Sequence, residues 1–243
     1  MSTSSNTAYN IWAVVVAAGI GKRMQAALPK QYLELNGIPV LQHSLQRLLD
    51  LPRVSALVVA LRENDPYWSR IRLDTTKPVL IAAGGDERSD SVLSALNCLA
   101  QQPGFNPDTD WVLVHDAVRP CVRTADIERL INTVGENEAG GLLALAVRDT
   151  MKRQHVNGSV AQSVEREGLW HALTPQLFSW RLLHRALTQA QQQQRVITDE
   201  SSAMEALGYA PLLVEGSTDN IKITRPGDIR LAELFLDEQQ KTR

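Results

Sequence analysis

The chain has 243 residues, which suits one large domain or one domain with an excursion, and its apolar share of 44% suffices for a sizeable core. A net charge of −2 gives no reason to expect bulk nucleic-acid binding, so any affinity for anions must be local. No stretch approaches the roughly 18 apolar residues that would span a membrane, and the polar N-terminus lacks the basic and apolar regions of an export signal.

Trp12 to Ala18 is almost uninterrupted Val and Ala, the composition of a strand buried on both faces. Gly19 and Gly21 then permit a tight turn and close approach of backbone to a ligand. Lys22, Arg23 and, after Pro29, Lys30 follow, and backbone N–H groups beside fixed cations suit a polyphosphate. Two familiar glycine motifs fail here. A dinucleotide fingerprint needs a small residue where Met24 stands, and a Walker loop needs Ser or Thr after Gly-Lys and another Gly five residues earlier. The turn by itself also fits a strand-to-helix junction with solvated cations.

Asn36-Gly37 is a tight-turn signal between Gln31–Leu35 and Ile38–Val40. Leu41, Leu45, Leu48 and Leu49 have helical spacing, closed by Pro52. Val54–Leu61 reads as a buried strand, Pro66–Ile71 as a short helix and Val79–Ala83 as a third strand. The run Gly84 to Ser91 opens a helix carrying Val92, Leu93, Leu96 and Leu99, and Gln101–Asp110 reads as an exposed loop. Trp111–Val114 is a fourth strand ending in His115-Asp116, followed by a helix over Ala125–Val134 and a strand over Gly141–Val147. Arg148–Gly168 is polar, with Asn157-Gly158 at its middle, and reads as a hairpin arm. Such an arm packs most economically on a second copy of the chain, the alternative being an unpacked excursion. Beyond it come a strand over Leu169–Thr174, a helix from Trp180 to about Gln191, a helix opened by Thr198-Asp199-Glu200, strands over Leu212–Glu215 and Asn220–Thr224, and a helix after Pro226. The alternation implies a doubly wound α/β fold with a mostly parallel sheet. Cys98 and Cys121, the only cysteines, lack metal-type spacing and fit reduced thiols, so a cytoplasmic protein is expected.

In such a sheet the ligand lies beyond the carboxyl ends of the strands. Polar clusters fall at four of them: Gly19–Lys30, Gly84–Ser91, His115–Arg119 and Asp219–Lys222. Asp86 and Ser91 can hydrogen-bond a base edge, although Asp86 taken alone reads better as a helix cap. Asp116, just past a buried strand, is placed to hold Mg²⁺ together with phosphate oxygens, or to pair with Arg119. His115 reads as a hydrogen-bonded core residue, and no arrangement for covalent catalysis stands out.

The blocks AAGxGxRM…PKQY, GGxERxxSV, VHDAxRP, DTxK, GLWxALTPQ, TDExSA and DNIKxTRPxD, in that order from Ala17 to Asp228, resemble the 2-C-methyl-D-erythritol 4-phosphate cytidylyltransferases of the non-mevalonate isoprenoid route. Val16 departs from the proline that many relatives carry, the loop Gln101–Asp110 looks longer than in some, and the cyclase domain fused on in others is expected to be absent. The resemblance implies a Rossmann-like nucleotidyltransferase, one domain over 1–243, whose β-hairpin arm at about 148–168 protrudes and dimerises. It implies transfer of a cytidylyl group from CTP to methylerythritol phosphate with Mg²⁺ or another divalent cation, in a homodimer with no nucleic-acid or membrane partner.

Under that resemblance Ala17, Ala18 and Gly19 line the CTP site, and Gly85, Asp86 and Ser91 read cytosine. Arg23 and Lys30 grip the triphosphate and stabilise the reacting α-phosphorus. Asp116 is the metal residue with Arg119 beside it, and Ala117 and Thr174 are further substrate-binding positions. Thr198 and Lys222 hold methylerythritol phosphate, which Thr150 and Arg166 reach from the partner's arm. Two rivals share much of this chemistry, a CDP-ribitol pyrophosphorylase and a non-catalytic nucleotide-sensing module.

Overall fold

In the computed structural model, which describes residues 9–19, 28–135 and 137–241, the Val/Ala run becomes β1 (Ile11–Val16). It is followed by a 3-10 turn (Lys30–Tyr32), β2 (Glu34–Leu35), β3 (Ile38–Pro39), α1 (Val40–Leu49), β4 (Val54–Leu61), a second 3-10 turn (Trp68–Arg70), β5 (Val79–Ala83) and α2 (Arg88–Leu99). The chain continues through β6 (Trp111–Asp116), α3 (Thr124–Val134), β7 (Gly141–Ala146), β8 (Met151–Gln154), β9 (Val160–Val164) and β10 (Trp170–Ser179). It ends with α4 (Trp180–Gln192), α5 (Glu200–Ala206), β11 (Leu212–Glu215) and α6 (Gly227–Lys241). No helix among the described residues is long and apolar enough to cross a membrane.

A seven-stranded sheet runs in the order β11-β7-β10-β6-β1-β4-β5. β1 pairs parallel with β4 and β6, β4 with β5, and β11 with β7, while β10 lies antiparallel between β6 and β7. Successive side chains of β1 enter opposite cores, as pleating requires. Ala13 and Val15 meet the leucines of α1 and the Ile127, Leu130 and Ile131 stripe of α3. Trp12 and Val14 share the other core with buried residues of α2, α4 and the middle of α5. A smaller cluster beneath α6 joins Leu35, Val40, Val118, Ile223, Ala232 and Leu236.

This order creates the crevice. From β1 the chain moves through α1 to β4 and β5 on one side, then returns to place β6 on the other. The loops leaving β1 and β6 therefore diverge, and Val16 and Asp116, register partners at the two strand ends, stand at the opening. A side chain at Gly84 would put its Cβ 2.2 Å from that of Ala18, so glycine is what lets the loop after β5 close against the loop after β1.

Several expectations are corrected. Asp116 is the last residue of β6 rather than a residue past it. β10 continues through Pro175 to Ser179; its pairing with β7 shifts between Ala172 and Gln176, where Pro175 has no N–H to offer the ladder. Asn220–Thr224 is not a strand, because its amides are drawn elsewhere: Ile223 donates to the Val118 carbonyl and Thr224 to Asp228 Oδ2. Asp110, expected in an exposed loop, is 1% exposed and accepts from Trp12 Nε1 and from the amides of Asn10 and Asn106. Asp86 does not cap α2; Glu87 is the N-cap and its amide donates to Asp90. Arm residues β8 and β9 form a separate two-stranded antiparallel sheet, largely exposed, with Gly158 at φ 87° in its turn.

Candidate active site

The first cavity, about 290 Å³, lies at the mouth of β1 between the loops after β1, β5 and β6. Ala17, Ala18, Gly19, Lys30, Gly85, Asp86, Ser91, Ala117 and Lys222 all line it, so most of the residues expected at a nucleotide converge there. Arg23 lies outside the described residues. Gln31, which the sequence did not single out, is 3% exposed and gives its amide hydrogens to the carbonyls of Ala17, at 2.7 Å, and Gly19, at 3.1 Å. Because a trans peptide holds C=O and the next N–H antiparallel, turning the Ala17 carbonyl toward Gln31 turns the Ala18 N–H the opposite way. Ser91 fixes the facing wall, its Oγ accepting from Gly85 N and donating to the Glu87 carbonyl.

The second cavity, about 260 Å³, is lined by Arg119, Thr174, Gln176, Thr198 and Asp199 among others. Among the described residues, Arg88, Asp116 and Lys222 alone line both. Thr150 and Arg166 line neither; both are exposed on the arm, where Arg166 donates to the Arg148 carbonyl.

Asp116 is the electrostatic centre. It is 5% exposed and receives Lys222 Nζ at 2.8 Å, Arg88 Nε at 3.1 Å and Arg119 Nε at 3.5 Å. Burial opposes its charge, but Arg88, Lys222 and Arg119 outweigh that and hold its carboxyl well below the usual carboxylate range. Arg88, at the start of α2, also fixes buried Glu200, the first residue of α5, with Nη1 at 2.5 Å and Nη2 at 3.0 Å. Burial disfavours the Arg88 charge too, yet its two carboxylates raise its pKa above the ordinary value.

His115 behaves as a core residue. Its Nε2 faces the Arg119 carbonyl at 3.1 Å, its Nδ1 meets Thr174 Oγ1 at 3.0 Å, and burial pushes its pKa down to about 4. A neutral ring whose Nε2 faces a carbonyl must carry its hydrogen there, so Nδ1 accepts from the Thr174 hydroxyl. Thr174 Oγ1 in turn accepts from Asp116 N. The Thr174 hydroxyl therefore orients the end of β6, and its proton is already committed.

Among the described residues no three His, Cys, Asp or Glu side chains gather as a metal cage. Mg²⁺ characteristically uses one or two carboxylates and completes its shell with phosphate and water oxygens. Asp116, the one carboxylate shared by both cavities, fits that mode once an incoming anion competes for the cations around it. Arg88 and Glu200 lie inside the blocks GGxERxxSV and TDExSA, but their pairing across 112 residues had no local signal.

Known proteins match this arrangement along nearly the whole chain. The family model for 2-C-methyl-D-erythritol 4-phosphate cytidylyltransferase (IspD) matches residues 11–238. A relative of that name from Vibrio atlanticus (strain LGP32) is 49% identical over 232 residues, covering 96% of this chain and 97% of its own length. One from Vibrio parahaemolyticus is 50% identical over 238 residues, covering 98% of this chain and 99% of its own length. A crystal structure of 4-diphosphocytidyl-2C-methyl-D-erythritol synthase superposes with a TM-score of 0.82 at 36% identity, over 95% of this chain and 100% of that one. The Francisella tularensis 2-C-methyl-D-erythritol 4-phosphate cytidylyltransferase gives a TM-score of 0.78 at 34% identity, over 93% of this chain and 99% of that one. With two cavities joined at a buried carboxylate and these matches end to end, the chain belongs to the 2-C-methyl-D-erythritol 4-phosphate cytidylyltransferase family.

Proposed function

We infer that the protein transfers the cytidylyl group of CTP to 2-C-methyl-D-erythritol 4-phosphate, releasing pyrophosphate and giving 4-diphosphocytidyl-2-C-methyl-D-erythritol. The observation that carries this reading, beside the family, is the pair of cavities sharing Arg88, Asp116 and Lys222. Two phosphate-bearing reactants entering from either side meet at that border.

CTP occupies the first cavity, its base against Gly85, Asp86 and Ser91 and its phosphates along Ala17, Ala18, Gly19 and Lys30. Ala117 also lines this cavity, and Arg23 adds a second cation to the triphosphate. Methylerythritol phosphate occupies the second cavity, beside Thr198, Arg119 and Lys222, with Thr174 holding the strand end behind it. An oxygen of its phosphate attacks the α-phosphorus, a new O–P bond forms, and the bond from that phosphorus to the bridging oxygen breaks to release pyrophosphate. A phosphate monoester is largely ionised at neutral pH, so no general base is required. The obstacles are charge repulsion and alignment, which Lys30, Arg23 and Lys222 relieve by fixed positive charge where the phosphorus gains negative charge. Asp116 would hold a divalent cation, Mg²⁺ or another, which when bound would supply further neutralisation of phosphate charge.

The chain works as one nucleotidyltransferase domain over 1–243, whose arm at about 148–168 joins two copies as a homodimer. Thr150 and Arg166 of one copy then reach the acceptor site of the other. The separate, exposed two-stranded sheet supports this, since it has little to bury on its own chain. Unpaired Cys98 and Cys121 suit the reducing cytoplasm.

Pyrophosphate release, assayed with CTP, Mg²⁺ and each polyol phosphate in turn, tests the assignment. Release with methylerythritol phosphate and not with ribitol 5-phosphate is expected. The reverse preference identifies a CDP-ribitol pyrophosphorylase, and nucleotide binding without release identifies a sensor.

A further inference from the structure

We propose that Arg88 is a further substrate-facing cation of the transfer reaction and that buried Glu200 is the positioning residue that fixes it at the border of the two cavities. The proposal rests on cytidylyl transfer as the activity and adds two residues to it.

Arg88 is placed by three elements at once. It opens α2, its Nε donates to Asp116 at the end of β6, and its two terminal nitrogens grip Glu200 at the start of α5. Glu200 is itself held from both sides. Gln176 of β10 donates to Asp199 Oδ2 at 2.9 Å and accepts from Ser201 N at 2.8 Å, so the residues flanking Glu200 are tied to the sheet. A guanidinium has five N–H groups, and these contacts use three of them. One of the two that remain lies on the same edge as Nε–H, the edge that faces Asp116. The Arg88 side chain is 26% exposed and lines both cavities, so this edge reaches the space where the phosphates meet.

Lys222, the other cation at the border, is 39% exposed on a flexible stem and offers a point charge. Arg88 instead presents planar donors whose ordering is complete before substrate arrives. Such preorganised donors are what stabilise charge that develops at phosphorus. Burial of Glu200 to 1% is otherwise unrewarded: an apolar pair of similar size would join α2 to α5 at least as stably.

A double-mutant cycle tests this, with kcat and both KM values from pyrophosphate release, CTP affinity from calorimetry, and thermal melting. The doubly substituted Arg88→Met/Glu200→Gln protein removes both charges together and is expected to fold. Its kcat should fall by about 10² or more, while CTP affinity changes by less than about threefold. Glu200→Gln alone should lower kcat by about tenfold, yet change it by less than about twofold when Arg88 is already Met, because it acts only through Arg88. If Arg88→Met alone strands a buried carboxylate and does not fold, Arg88→Lys replaces Arg88→Met in both the single and the double variant, so that the cycle still closes. A double variant with near-native kcat overturns the proposal, as does a lowered melting temperature with unchanged kcat. Equal effects of Glu200→Gln in both backgrounds overturn the positioning role. A native protein that releases no pyrophosphate fails the activity itself, which is distinct from native and variant proteins being equally active.

Discussion

Replacing Asp116 by Asn keeps its shape and removes the one negative charge shared by Arg88, Arg119 and Lys222. Removing one partner of a buried ion pair typically destabilises by about 3–5 kcal/mol. Arg88 retains Glu200, and Lys222, 39% exposed, can turn to water. The stranded group is Arg119, whose side chain is 10% exposed and whose other contact is the Asn220 carbonyl at 2.8 Å. The low end of the range, about 3 kcal/mol, therefore applies. For a chain of this size that lowers Tm by about 6–12 °C, measured by circular dichroism at neutral pH. Inorganic phosphate should restore more of this loss in the variant than it adds to the native protein, because three cations have lost their anion. The difference should also depend on pH in one direction. The folded Asp116 carboxyl lies below its unfolded value of about 3.9, so its contribution is complete well above that pH and is lost progressively as pH falls below it toward the lower folded value. Turnover by the variant should require more Mg²⁺. A Tm within about 2 °C of native, with an unchanged Mg²⁺ titration, would refute the placing of Asp116 at the centre of the charge cluster.

Three further outcomes are expected. Lys30→Ala should fold normally and lose at least about 10²-fold in kcat, the usual effect of deleting a donor to a developing anion; near-native turnover removes it from the reaction. Arg166→Ala should raise KM for methylerythritol phosphate by about tenfold or more while CTP affinity is unchanged, because in the proposed homodimer its charge serves one ligand and comes from the partner's arm. Equal losses for both ligands would count against that role. His115, held neutral with a pKa near 4 against an ordinary 6.5, makes native stability decline as pH falls from about 6.5 toward 4, by on the order of 3 kcal/mol. His115→Gln, which does not titrate, should flatten that part of a urea-derived stability profile; an unchanged slope assigns it to other groups.

Much of the site was legible because its parts sit at strand ends. Gly19 follows the buried strand β1, the Gly84-Gly85 pair follows the edge strand β5 and Asp116 ends β6, and a parallel sheet brings such ends to one edge. The same local signals misled where a contact from elsewhere decides the backbone. Ile221 and Ile223 alternate as in a strand, but a carbonyl of the β6–α3 connection takes the Ile223 amide. The strand expected to end at Thr174 continues through Pro175 to Ser179 by shifting register. The Thr174 hydroxyl donates to His115 and accepts from Asp116 N, a tie across 58 residues that no local signal announces.

By itself the order of residues determined most of the strands and helices, which ends carry charge and glycine, and that the family is one of cytidylyltransferases. Only the tertiary structure decided which distant groups pair: that Asp116 gathers three cations, that Glu200 fixes Arg88, and that Gln31 binds the carbonyls of Ala17 and Gly19. Periodicity is a property of neighbours along the chain and can be read there. An ion pair or a buried hydrogen bond depends on distances of a few ångströms between residues far apart in sequence, and folding alone sets those.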